Sequence, residues 1–134
     1  MKFSGTLGKI PAYVGVDIFE NLQGYSENDS DLVASRFRDE TTGYAVALNL
    51  GQNKKRGDWR FRYVHARVET LAALSSYATT SFGWLLKTNV IVHDFRIDYS
   101  MTDKWRFTGR VSPAEEKIGS RKSTRYRIDF SRPF

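Results

Sequence analysis

The sequence predicts an all-β fold, an antiparallel up-and-down β-barrel or barrel segment of about seven or eight strands in one domain spanning residues 1–134. Three observations predict it. Apolar and polar residues alternate with period two in a series of stretches, which places one set on each face of a strand. Gly, Asn, Asp and Lys clusters punctuate those stretches as turns. No stretch carries the 3.6-residue periodicity of a convincing amphipathic helix.

The clearest stretch is the last, where Tyr126, Ile128 and Phe130 alternate with Arg125, Arg127 and Asp129. Residues 2–8 alternate weakly. After Pro11, one face carries Ala12, Val14, Val16 and Ile18 and the other Tyr13, Gly15, Asp17 and Phe19. Residues 21–41 are polar and read as a loop, with Leu32 to Phe37 as a candidate extra strand. Residues 42–51 set Tyr44, Val46, Leu48 and Leu50 against small or polar neighbours. The turn from Gly51 to Gly57 leads into a strand at 58–68, with Trp59, Phe61 and Tyr63 opposite Arg60 and Arg62. Residues 70–87 form a longer connection, with a helical turn expected at Leu71 to Leu74. Residues 88–99 place Ile91, Phe95, Ile97 and Tyr99 opposite Asp94, Arg96 and Asp98. Past Thr102-Asp103, Trp105, Phe107 and Val111 alternate with Lys104, Arg106, Thr108 and Arg110, and residues 112–122 are polar. Short turns after residues 51 and 100 thus alternate with longer loops, a layout shared by outer-membrane barrels and soluble meander barrels.

Composition narrows the classes. With 134 residues the chain holds one core, and with no cysteine it has neither disulfides nor thiolate metal sites. The net charge of +6 admits anionic partners. No run approaches the roughly 20 apolar residues of a transmembrane helix. No signal peptide is visible, which argues against export unless the numbering starts inside a longer precursor.

The central choice is which solvent meets which face. Lumen-facing Lys2, Arg60, Arg62, Arg96, Lys104, Arg106, Arg110, Arg125 and Arg127 outnumber Asp17, Asp94, Asp98 and Asp129 nine to four. Buried inside a small soluble barrel, each unpaired charge would cost several kcal/mol, so this face is expected to meet water. The opposite face carries Tyr44, Trp59, Phe61, Tyr63, Phe95, Tyr99, Trp105, Phe107, Tyr126 and Phe130, with Trp59, Trp105, Tyr44, Tyr99, Tyr126 and Phe130 near strand ends. Aromatics at strand ends match the girdles of membrane barrels. The competing reading is a soluble lipocalin-like barrel with the aromatics inside and an apolar ligand. A third is a basic nucleic-acid or partner-binding module. That one is disfavoured because Arg and aromatic residues fall on opposite faces and not on one stacking platform.

The segment Leu50-Gly51-Gln52-Asn53-Lys54-Lys55-Arg56-Gly57-Asp58-Trp59-Arg60-Phe61-Arg62-Tyr63 resembles a bacterial porin-like family of outer-membrane β-barrels, whose members carry a similar basic turn and Gly-Asp-Trp before aromatic alternation. Thr88-Asn89-Val90 and Asp98 to Lys104 look like the next hairpin. Tyr126, Ile128, Phe130 and Phe134 are similar to the C-terminal signal read by the barrel assembly machinery. The acidic stretch that family members tend to carry after the Tyr63-type strand is reduced here to Glu69, and porins of this kind are much longer. The resemblance implies an outer-membrane location, contact with lipid and lipopolysaccharide, and completion by further strands or chains. It implies no cofactor and no nucleic acid.

Signals for catalysis are weak. His65 and His93 lie on different strands, and no third ligand has suggestive spacing, so they read as surface or interface histidines. Glu115-Glu116 beside Lys117 reads as a solvated turn and not an acid–base pair. There is no nucleophile elbow and no glycine-rich phosphate loop. The expectation is a non-enzymatic outer-membrane barrel, or part of one, with an Arg-rich, anion-leaning lumen serving passive diffusion or a structural role.

Overall fold

The computed structural model describes residues 1–28, 30, 35–72 and 88–132. Within them the chain forms seven strands: β1 (Lys2–Leu7), β2 (Ile10–Glu20), β3 (Thr42–Gly51), β4 (Trp59–Val68), β5 (Val90–Ser100), β6 (Arg106–Glu116) and β7 (Lys122–Ser131). Each pairs antiparallel with the next, giving one sheet in the order β1-β2-β3-β4-β5-β6-β7. The meander matches the period-two reading strand for strand. It is not closed: the outer edges of β1 and β7 have no partner strand in the sheet.

Register carries the alternation sideways across the sheet. Residues opposite one another in an antiparallel pair share a face, so faces remain unmixed only if every pairing keeps parity. It does. One unbroken row runs Phe3–Val14–Leu48–Tyr63–Phe95–Val111–Tyr126. The neighbouring row on the other face contains Asn49, Arg62, Arg96, Arg110 and Arg127. Strands pack chiefly against their sequence neighbours, and among the described residues no helix or strand forms a second layer on either face.

Three short turns gather at one end, at residues 8–9, 52–58 and 101–105. Their glycines have a conformational reason: Gly51 (φ 82°) and Gly57 (φ 84°) adopt left-handed backbone that side chains resist. The turns also lock together. Gly57 N–H donates to Ser100 O (2.8 Å) and Ser100 N–H to Asp58 O (2.9 Å), while the Ser100 hydroxyl bonds the Asn53 side chain.

Several details depart from the sequence reading. β6 continues through Pro113 to Glu116, beyond its expected end near Val111. Proline cannot donate to the ladder, and β5–β6 pairing is interrupted there, between Val92–Ala114 and Phe95–Val111. Lys104 and Trp105 belong to the short turn before β6 and not to the strand. Tyr126 sits at mid-strand, opposite Val111, and not near a strand end. Ser35 and Arg36 form a helical turn, so the candidate strand from Leu32 to Phe37 is not formed at that end, and residues 31–34 lie outside the described residues. Leu71 and Ala72 form a turn, while residues 73–74 of the expected helical turn, and Phe134 of the C-terminal signal, lie outside them too.

The glycine turns yield a paired prediction. A Cβ on Gly51 would lie 2.3 Å from the Trp59 carbonyl oxygen, whereas one on Gly57 meets nothing within 4 Å. Gly57→Ala is expected to cost about 1–2 kcal/mol for the left-handed backbone alone. Gly51→Ala adds steric overlap with the backbone and should cost distinctly more. Denaturant midpoints of the two variants compare them directly, and equal losses would contradict this account.

Candidate functional site

The charges expected on one face are placed there by register, but they are not spread evenly. On β4–β7 that face holds Arg60, Arg62, Asp94, Arg96, Asp98, Arg106, Arg110, Arg125, Arg127 and Asp129. On β2 and β3 it is lined by small residues, with the Tyr13 ring lying over Gly15 and the Phe19 ring over Gly43. Lys2 and Asp17 share the face at that side and are exposed.

The acids organise the bases. Asp98, 1% exposed, accepts from Arg60 Nε (3.1 Å) and Nη2 (2.8 Å) on one oxygen. Its other oxygen accepts from Arg96 Nε (2.9 Å) and the Thr108 hydroxyl (2.6 Å). Asp94, 3% exposed, takes Arg110 Nε at 2.6 Å and the Ser112 hydroxyl. Asp129 takes Arg127 Nε at 2.7 Å. Bidentate and charge-assisted contacts of this kind hold guanidiniums in fixed orientations. The sequence reading had all these charges facing water. Instead, Asp94 and Asp98 lie beneath the arginines bonded to them, and those guanidiniums meet the solvent.

One arrangement was invisible in the sequence. Arg62, Arg96, Arg110 and Arg127 stand directly opposite one another across four adjacent strands. Like charges so placed repel, and the carboxylates of Asp98, Asp94 and Asp129 on the flanking rows offset part of that repulsion. Among the described residues Arg62, Arg106 and Arg125 have no ion pair. Arg96, Thr108, Arg110, Arg127 and Asp129 line a polar hollow of about 330 Å³ on this face. The result is a wall rich in oriented guanidinium groups.

The opposite face is apolar from the short-turn end to mid-sheet and turns polar toward the long-loop end, where Arg67, Glu115 and Lys122 share it. At the short-turn end Trp59, Tyr99, Phe107 and Phe130 form one continuous cross-strand row, with Trp105 in the adjacent turn. Phe61, Tyr63 and Phe95 lie nearer mid-sheet, and Tyr44 near the long-loop end. Lacking a side chain between Ile97 and Ile128, Gly109 leaves an apolar groove bordered by Phe61, Phe107 and Tyr126. The two histidines also lie on this face, and register pairs them: His65 stands opposite His93 with ring centroids 4.6 Å apart. The Tyr44 hydroxyl lies 3.2 Å from His65 Nε2 and the Tyr63 hydroxyl 2.8 Å from His93 Nδ1. No group of three or more metal-ligating side chains occurs among the described residues.

The long-loop end is closed by a second charge cluster. Lys117 bonds both Glu40 and Glu69 (2.9 Å to the latter), linking the segments before β3, after β4 and after β6. Burial would raise the Glu69 carboxyl, but bonds from Lys117 and from the Thr42 amide and hydroxyl outweigh it and hold the pKa at about 2. Burial would lower Lys117, and its two carboxylate partners more than reverse that, raising it. Neither Glu40 nor this three-way contact is signalled by sequence spacing, because its members are dozens of residues apart.

No family model matches the chain, and no match to it was found among curated proteins or solved structures.

Two predictions follow from these clusters. Asp98→Asn removes an enclosed carboxylate shared by two arginines and should cost roughly 2–4 kcal/mol. Asp129→Asn, in a solvent-exposed pair, should cost under about 1 kcal/mol. Chemical denaturation of both variants measures the contrast.

Glu69 is acidic in the fold relative to its ordinary value of 4.5. Its contribution is therefore complete above about pH 4.5 and is lost as pH falls through about 2. Acid titration of stability should show this component in the parent chain and lack it in Glu69→Gln; identical acid profiles would contradict it.

Proposed function

We propose that the chain forms part of the wall of a bacterial outer-membrane β-barrel, with the apolar face against lipid and the arginine-rich face lining a wet lumen that favours anions. The observation that carries this reading is an inversion of burial. Among the described residues, Asp94, Asp98, Ser100, Thr108 and Ser112 are enclosed on the charged face together with Val64, Ala66, Val90 and Val92, whereas Tyr126, Ile128 and Phe130 on the other face are 75%, 69% and 64% exposed. A sheet in water hides its large apolar side chains; this one leaves them exposed and encloses the face that carries its charges, as a membrane barrel does.

Strand count supports an incomplete wall. β1 and β7 run in the same direction, so joining them directly would make a parallel pair. An all-antiparallel barrel needs an odd number of further strands between them, giving the even total of bacterial single-chain barrels. About eight strands would fill their own interior with side chains, so conduction requires more. The excess of arginine lowers the barrier for anions in any such lumen. Resemblance of the Gly57-Asp58-Trp59 turn and of the Tyr126-to-Phe130 strand to porin-like barrels agrees with this reading. The lipocalin-like alternative needs the apolar face enclosed, and burial runs the other way.

The test is solubility and gel migration. Folded protein should require detergent to remain in solution, and unboiled samples should migrate differently from boiled ones on a denaturing gel. A monodisperse, folded protein free of detergent would overturn the membrane reading.

A further inference from the structure

The two ends of the sheet differ in how their cations are satisfied. At the long-loop end, Arg38, Arg67, Lys117 and Arg121 each have a carboxylate partner. At the short-turn end, Lys9, Lys54, Lys55, Arg56, Lys104 and Arg132 are all exposed, and none has an ion pair among the described residues. The acids at that end do not compensate. Asp58 directs its carboxylate into its own turn, accepting from the amides of Lys54 (3.1 Å) and Lys55 (3.0 Å), which lower its pKa. That leaves Asp103 against six bases.

The same contacts fix the shape of the basic turn. The backbone of the 54–56 segment is tied to Asp58 and the turn's far side to Ser100, and Lys54, Lys55 and Arg56 are all exposed. Immediately inward on the apolar face runs the aromatic row Trp59–Tyr99–Phe107–Phe130. Unpaired cations just beyond a belt of Trp and Tyr are the arrangement that suits an interface between acyl chains and anionic headgroups.

We propose that the short-turn end docks on a leaflet of anionic phospholipid, with the ring of six bases contacting headgroup phosphates and the aromatic row seated at the acyl boundary. This rests on the barrel reading above and adds to it which end of the wall meets an anionic leaflet. Charge complementarity selects that occupant: a zwitterionic surface offers these bases no net attraction, and at the other end Arg38, Arg67, Lys117, Arg121 and Lys122 are paired, leaving Arg36 as the exposed cation without an ion pair among the described residues there.

Flotation of the full chain with vesicles tests it. One set is phosphatidylcholine alone and the other contains roughly one-third phosphatidylglycerol. At about 1 kcal/mol per basic residue near a charged surface, three residues correspond to a preference of roughly 100-fold for the anionic vesicles. K54E/K55E/R56E should lose most of that preference while still floating with phosphatidylcholine, and heat-dependent gel migration confirms that it folds. Arg38→Glu, at the opposite end, should keep it. Salt near ~0.5 M should erase it in the parent chain.

Equal binding to both vesicle types by the parent chain would overturn the leaflet assignment and leave the barrel reading standing. An unchanged preference in the triple variant would do the same. Failure to float with either vesicle would overturn both. Capture by a single-stranded oligonucleotide without any vesicle preference would assign the ring to nucleic acid and sink the proposal.

Discussion

Everything in this structure depends on parity being kept across seven strands. A single one-residue slip in any pairing would turn that strand's apolar set onto the charged face. A slip of β5 against its neighbours, for example, would take Asp98 away from Arg60 on β4 and Thr108 on β6. Side-chain bonds therefore enforce the register that backbone bonds alone would leave degenerate. Asp94 and Asp98 act as pins between neighbouring strands, while the three short turns, with Gly51 and Gly57 in left-handed conformation, set the offset at one end.

The same pins explain how an arginine-rich face can be tolerated. Four guanidiniums in one cross-strand row repel, and a sheet carrying only such rows would be strained. Carboxylates placed one row away bind the guanidiniums from the side, along the strand for Arg96 and Arg127 and diagonally across strands for Arg110. Burial of Asp94 and Asp98 strengthens these bonds by excluding water. The cations are left oriented and solvent-facing, and part of their charge stays uncompensated. An anion approaching this face would meet donors already in place.

How much of this was legible in the sequence follows from what periodicity encodes. Alternation tells which face a residue takes, and so the faces of Arg60 to Tyr63, of Asp94 to Tyr99 and of Arg125 to Phe130 were readable directly. Alternation says nothing about height. The Arg62–Arg96–Arg110–Arg127 row and the His65–His93 contact depend on offsets between strands separated by loops of unequal length, and only the register reveals them. The polar character of residues 112–122 hid the end of β6 for a different reason: Pro113 interrupts the ladder to β5, yet the strand resumes beyond it because Ala114 pairs with Val92 and with Ser123. Lys104 and Trp105 kept the right parity but sit in a turn, where parity no longer defines a face. The Lys117 cluster joins three loop segments with no local pattern at all.

The apolar face finally constrains what environment the chain needs. Among the described residues the buried apolar side chains are Val64, Ala66, Ala72, Val90 and Val92, all small or medium in size. The large side chains Phe3, Ile18, Trp59, Phe95, Tyr126 and Phe130 are the ones left exposed. A soluble partner would have to cover every strand, from β1 to β7, with an apolar surface as wide as the sheet itself. On the membrane reading proposed above, lipid would do so without specificity, and it would also account for an exposed row ending in Trp and Tyr next to unpaired Lys and Arg. On that reading the hydrophobic free energy of the fold resides in its contact with lipid, while the charge network keeps the enclosed carboxylates of the other face satisfied.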